Sequence, residues 1–257
     1  MSLSVVMVGS GNVATHISKR LNNQGVNILQ VYSRTEESAR LMAEKLSAEW
    51  TTDPKSLNSE ADLYFLALKD SVLADFLIKS GLKNKLLVHC SGSLGISILS
   101  PYSNQYGVLY PLQTFSKSRE INLEKIPIFI ESSNAETEKK IFQLAKSIST
   151  SVNKATSSQR LQLHMAAVFA CNFVNHMYTI AGEIMETSGF GFDYLEPLIR
   201  ETCEKALRLH PREAQTGPAV RNDRNIIEKH LHTLEYDANL RLLYERLTQH
   251  ISNFHKK

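Results

Sequence analysis

Three groups of residues in this 257-residue chain have the types and spacing to do chemistry. The first is Gly9-x-Gly11-x-x-Ala14, within VVMVGSGNVATHI, where one apolar run meets two glycines and a second begins. A glycine at the first position permits a tight turn. A glycine at the second lets the backbone approach a diphosphate, and a small third residue lets a helix pack closely on the preceding strand. The diphosphate charge then sits at a helix N-terminus, where unpaired N–H groups and the helix dipole favour an anion. Gly9, Ser10, Gly11, Asn12 and Val13 are therefore candidate dinucleotide contacts. The second group is Ser33-Arg34-Thr35, at the end of the next apolar run. A site for NAD places a carboxylate there to hold the ribose hydroxyls. Here two hydroxyls and a guanidinium suit a phosphate dianion instead, so NADP is the expected cofactor. Glu36 and Glu37 come later and read as the first turn of the next helix, where negative charge is favoured.

The third group is His164, Asn172 and His176, spaced with Val168 at intervals of four within HMAAVFACNFVNHM. That spacing puts them on one helix face. Polar groups on so apolar a helix must find partners. They form either the wall of an active site or a polar seam between packed helices or at a dimer interface. As an active-site wall, His164 or His176 would protonate an oxygen as hydride reaches its carbon, and Asn172 would hold the carbonyl. His164 and His176 lie about 18 Å apart along a helix, too far to share an ion, and no metal is expected.

Further candidates stand where strand-like runs end. FLALKDS leaves one run at Ala67 and Leu68, and LLVHCSGS places His89 and Ser91 at the end of another. Ligands of open α/β sheets bind outside such carboxyl ends. In YPLQTF, Tyr110 and Gln113 could reach the cofactor face, and Gln113 is a candidate substrate contact. In TGPAVRND, Thr216 offers a hydroxyl and Arg221 a fork for a carboxylate, while Asp223 could orient that arginine or cap a following helix.

These residues need elements to position them. Strand-like runs at 3–8, 26–32, 61–67 and 86–89 alternate with amphipathic helical runs at 12–24, 36–46 and 71–78. A short third strand is expected at Trp50 and Thr51, and further strands at 107–110, 126–130 and 151–154, with a helix over 137–149. Such alternation with short connections predicts a Rossmann-like, doubly wound parallel sheet covered by helices on both faces. From residue 154 onward helical periodicity takes over, at 157–188, 193–209 and 224–254, and no strand alternation returns. The expected organisation is a dinucleotide-binding domain at 1–153 and an all-helical substrate and dimerisation domain at 154–257.

Composition narrows the function classes. A formal net charge of +3, with no long Lys or Arg run, gives no footprint for nucleic acid. Residues 5–8 are too short an apolar run to span a bilayer, and the opening residues lack a basic leader region, so no membrane partner is expected. Cys90, Cys171 and Cys203 are odd in number and widely spaced, which suits a reducing cytoplasm.

The pattern VGSGNVATHI … VYSRT … LALKDS … VHCSGS resembles the nucleotide-binding half of pyrroline-5-carboxylate reductases, ketopantoate reductases and NADP:deazaflavin oxidoreductases. LYPLQTFS, HMAAVFACNFVNHM and TGPAVRND are similar to the family that joins such a half to a helical DUF2520 region. The resemblance implies a Rossmann-like fold, NADP binding and pairing through the helical half into a homodimer. It brings no substrate with it. The Lys-bearing helix of hydroxyacid and ketopantoate reductases has no counterpart, because no Lys lies between Lys154 and Lys205, and His164 stands where the base would be. The Ser/Gly/Thr-rich loop of pyrroline-5-carboxylate reductases is replaced by Thr216-Gly217-Pro218. The expected activity is NADP-dependent oxidoreduction of a small carbonyl or hydroxy acid in the cleft between the halves. A non-catalytic NADP-binding sensor or regulatory protein is the alternative that the missing lysine leaves open.

Overall fold

The computed structural model describes residues 3–255. The chain divides into two compact units, Met1–His176 and Met177–Lys257. The first is built on an eight-stranded sheet in the order β3-β2-β1-β4-β5-β6-β7-β8. Its strands are β1 (Ser4–Val8), β2 (Asn27–Tyr32), β3 (Glu49–Thr51), β4 (Leu63–Leu66), β5 (Leu86–His89), β6 (Tyr106–Pro111), β7 (Ile128–Ser132) and β8 (Val152–Lys154). Helices α1 (Asn12–Asn23), α2 (Glu36–Leu46), α3 (Asp70–Ser80) and α4 (Ala135–Ile148) connect strands of the sheet.

Both faces of the sheet are buried, so β4 and β5 are unbroken apolar or nearly apolar runs, LYFL and LLVH. Val5 and Met7 enter one core with Ile17 and Leu21 of α1, Met42 of α2 and Ile141 of α4. Val6 and Val8 enter the other with Leu73, Phe76 and Leu77 of α3. The chain runs outward through β2 and β3, then returns to the far side of β1 at β4. The strand order therefore reverses between β1 and β4, and a crevice opens beyond their carboxyl ends.

The sheet is parallel except at one joint, where β6 pairs antiparallel with β7. A parallel return needs a crossover, usually a helix. Residues 112–127 hold no helix, and this segment is instead tied back to α1. Asn12 Nδ2 donates to the Phe115 carbonyl at 2.8 Å, and His16 Nε2 donates to the Ser116 carbonyl at 2.9 Å. Lys19 pairs with Glu120. The chain thus re-enters the sheet from the end at which it left.

The expected single helix over 157–188 is divided. α5 (Ser157–Ala167) runs into a π-helical stretch at Val168–Phe173 and then α6 (Val174–Thr187). The start of α5 is set by a capping box, in which Thr156 accepts the Gln159 N–H and Gln159 accepts the Thr156 N–H. The remaining helices are α7 (Glu196–Arg208), α8 (Pro211–Ala214), α9 (Pro218–Arg221), α10 (Arg224–Thr233) and α11 (Ala238–His255). In α7, α8 and α9 a proline stands in the first turn, where its missing N–H costs nothing. Among the described residues no helix is long and apolar enough to cross a membrane.

Candidate functional site

The glycine loop joins β1 to α1. Gly9 holds φ +112°, and a Cβ there would collide with the Ala67 carbonyl oxygen. Its N–H donates to the Tyr32 carbonyl at 2.8 Å, while the Ala67 N–H donates to Val8 at 2.8 Å. The ends of β1, β2 and β4 are thereby stitched at the crevice. Gly11 is the N-cap of α1 and offers no side chain to cap it, and open space lies where its Cβ would point. The first N–H groups of α1 therefore face a space that a diphosphate could fill. Ser10 and Ser33 are both buried and share a hydroxyl–hydroxyl hydrogen bond at 2.8 Å. Arg34 and Thr35 stand exposed beyond β2, and Glu36 and Glu37 open α2. These residues fit a dinucleotide with a phosphorylated adenosine ribose.

A cavity of about 740 Å³ opens beside this loop, within the first compact unit. Gly11, Asn12 and Val13 line it, as do Ala67 and Leu68 after β4 and Ser91 after β5. Gln113 lines it from the segment after β6, and His164 and Asn172 from α5 and the π-helical stretch. The fold thus brings the glycine loop and the polar helix face, about 150 residues apart in sequence, to one cavity. The π-helical stretch forms part of the wall, a placement typical of such irregularities at functional sites.

His164 is held closely. Its Nδ1 lies 3.3 Å from the Tyr110 hydroxyl, and the two rings meet edge-on with centroids 6.2 Å apart. Gly92 makes room for it, since a Cβ there would stand 2.8 Å from the His164 Cβ, Cγ and Nδ1. One turn earlier, Arg160 is only 1% exposed. Its guanidinium donates twice to the Leu94 carbonyl, at 3.0 and 2.9 Å, and to Glu131 Oε2 at 2.9 Å. Glu131 in turn accepts the Ser157 N–H and hydroxyl, at 3.0 and 2.8 Å. This knot fastens the start of α5 to β7 and to the loop after β5. Burial pushes the Tyr110 phenol above its ordinary range, and the Arg160 charge partly offsets that.

The loop after β5 has its own supports. Ser91 donates to Asp70 Oδ2 at 2.9 Å, and Ser93 donates to the same oxygen. His89 lies beneath, 1% exposed, and its Nδ1 accepts the Ser91 N–H at 3.1 Å. Burial, reinforced by the Arg160 charge, lowers the His89 pKa to about 4, so the ring is neutral near pH 7. Cys90 also lines the cavity, but burial pushes its thiol up to about 12 and no thiolate is available near neutrality. Among the described residues no cluster of three or more His, Cys, Asp or Glu side chains could hold a metal ion.

Residues 4–92 match the family described as NADP oxidoreductase, coenzyme F420-dependent, and residues 126–251 match the domain of unknown function DUF2520. A Bacteroides fragilis protein of known structure, provisionally named an NADP oxidoreductase, is 44% identical over 98% of this chain and 98% of its own, with a TM-score of 0.93. The chain belongs to this DUF2520 oxidoreductase family. A Thermotoga maritima protein shares the fold at 20% identity, with a TM-score of 0.82 over 98% of this chain and 100% of its own. So does an Aspergillus terreus reductive aminase, solved with NADPH and ethyl levulinate, at 14% identity and a TM-score of 0.72 over 99% and 98% of the two chains. No curated protein matches the chain by sequence.

In this family member the remaining candidates are not among the residues that line this cavity. His89 is buried under Ser91 and outside the cavity lining, so it acts on that loop from behind. His176 is exposed, three turns beyond His164, and is also outside the lining. Thr216 and Arg221 belong to the second unit, where both are exposed. There Asp223 caps α10 by accepting the Ile226 N–H at 3.4 Å. Sequence reasoning missed Asp70, Ser93 and Arg160. Of these only Arg160 had a readable signal, as a cation four residues before His164 on a helix with a capping box.

Proposed function

We propose that this chain is an NADP-dependent oxidoreductase acting on a small carbonyl or the corresponding hydroxy acid at the cavity beside the glycine loop. The observation that carries the reading is that Gly11, Ala67 and Leu68 line the same cavity as His164 and Asn172. The helix α1 N-terminus takes the diphosphate, and Ser33, Arg34 and Thr35 take the 2′-phosphate of the adenosine ribose. An imine reductase from Myxococcus stipitatus, solved with NADP+, has the same fold at 14% identity and a TM-score of 0.66, which supports this placement.

Bound there, the nicotinamide would supply or accept the hydride. His164 provides the proton that a carbonyl oxygen needs to become a hydroxyl, and Asn172 donates a hydrogen bond to that oxygen. Ser91 contacts the cofactor and Gln113 the substrate, and Leu68, Leu163 and Val168 give the cavity an apolar lining that limits water. His176, Thr216 and Arg221 are lesser candidates for contacts made when substrate is present.

Calorimetry with NADPH, NADP+ and NADH, followed by a panel of 2-keto acids, aldehydes and cyclic imines, tests the proposal. NADPH binding with turnover that is lost in His164→Ala supports it. NADPH binding without turnover across the panel favours a sensor, and no heat with any nucleotide sinks both.

The chain forms a homodimer through its helical half, because Leu161, Met165, Phe169 and Phe173 make a four-residue-spaced apolar stripe that is 50, 57, 64 and 49% exposed. It works in the cytoplasm, where Cys90, Cys171 and Cys203 stay reduced; all three are free thiols.

A further inference from the structure

The geometry points to Tyr110 as the positioning residue that fixes which nitrogen of His164 exchanges its proton with the cavity. This rests on the reading of His164 as the proton donor. The Nδ1 edge of the imidazole is closed from two sides, by the Tyr110 hydroxyl at 3.3 Å and by the backbone of Gly92. Nε2, at the far side of the ring, is left as the nitrogen that meets substrate. Which nitrogen of a histidine carries its proton is set by the hydrogen bond the other one makes.

A phenol oxygen suits this task because it can accept the Nδ1 proton's hydrogen bond while staying uncharged. With His164 protonated, Nδ1–H donates to the Tyr110 oxygen and Nε2–H is aimed at the substrate. When the Nε2 proton passes to the substrate oxygen, Nδ1–H remains on Tyr110 and the imidazole is neutral. A proton from water then restores Nε2, so the hydroxyl never changes its charge. The raised pKa of the buried phenol keeps it protonated throughout. Tyr110 is itself fixed, since β6 holds it opposite Phe129 of β7 in the antiparallel joint. Arg160, locked to Leu94 and Glu131 one turn before His164, holds the helix that carries the ring.

The test reads the ring directly. Imidazole 15N spectra of histidine-labelled protein, with the His164 signals assigned from His164→Asn, report the tautomer in alkaline buffer without substrate or cofactor. Wild type should show the Nδ1–H tautomer as the dominant neutral form. Tyr110→Phe should lose it, moving both nitrogen shifts toward the average of an unrestrained imidazole, and Gly92→Ala should do the same by displacing the ring. His89 serves as an internal standard, because its Nδ1 is held by the Ser91 N–H, a donor that Tyr110→Phe does not touch. Backbone amide spectra check the fold, and if Gly92→Ala is unfolded, Tyr110→Phe alone decides. Unchanged His164 shifts in folded Tyr110→Phe overturn the assignment. NADPH calorimetry on the same samples keeps the two ideas apart. Absent binding in wild type overturns the proposed function whatever the tautomer, and normal binding beside unchanged shifts removes only the role of Tyr110.

Discussion

Arg34 is the residue on which the choice between the two pyridine nucleotides turns. Its guanidinium stands exposed between Ser33 and Thr35, with no carboxylate immediately after β2 to hold ribose hydroxyls. A charge-assisted hydrogen bond contributes about 1.5–3 kcal/mol, so Arg34→Ala should weaken NADPH by roughly 10- to 100-fold and NADH by only about threefold. Calorimetric Kd values for both nucleotides check this, and equal losses would reject a 2′-phosphate contact. His89 makes a second prediction at this scale. Its pKa falls from 6.5 unfolded to about 4 folded. At and above neutrality both states hold a neutral ring and stability is at its full value. As pH falls from 6.5 toward 4 only the unfolded chain takes up the proton, so stability drops, by on the order of 3 kcal/mol in all. Urea unfolding at about pH 7 and about pH 5 should show the decline, and His89→Gln should flatten it.

At the scale of elements, the position of α5 decides whether His164 reaches the cavity. The capping box at Thr156 and Gln159 starts the helix, but the tie to the sheet is the Arg160–Glu131 pair. Removing one member of a buried pair leaves the other uncompensated at about 3–5 kcal/mol. Glu131 keeps some exposure, so Arg160→Met should cost about 3 kcal/mol, near the low end of that range. Denaturant midpoints measure the loss. The same variant frees the Leu94 carbonyl, so a weaker hold on the loop after β5 should accompany it, seen as faster amide exchange at 91–95 than elsewhere in the sheet.

For the whole molecule, association is the expectation that follows from exposed apolar surface. Four large side chains in a row at helical spacing, each about half exposed, are uncommon on a monomer. Light scattering should give a dimer mass, and Phe169→Glu with Phe173→Glu should yield monomers, since a carboxylate buried at an apolar contact has no partner. A monomeric wild type across micromolar concentrations would refute the dimer. Cofactor binding should also register globally. NADPH at about one hundred times its Kd stabilises the folded state by about 2.7 kcal/mol and raises Tm accordingly.

Local chemistry determined much of this protein from the sequence alone. Glycine at 9 and 11, a strand before and a helix after, and alternating apolar runs from β1 to β5 are short-range signals that the backbone must obey, so the Rossmann-like sheet and the glycine loop could be read directly. The helical texture from 157 onward was equally local. Only the tertiary structure decided how distant residues meet. It turned β7 antiparallel, with 112–127 tied to α1 by Asn12 and His16 and holding no crossover helix. It brought His164 to Tyr110 and Gly92, 54 and 72 residues away in sequence, and set His89 behind Ser91 rather than in the cavity. Periodicity reports which face of an element is apolar. Which neighbour that face meets depends on long-range packing, and no local spacing encodes it.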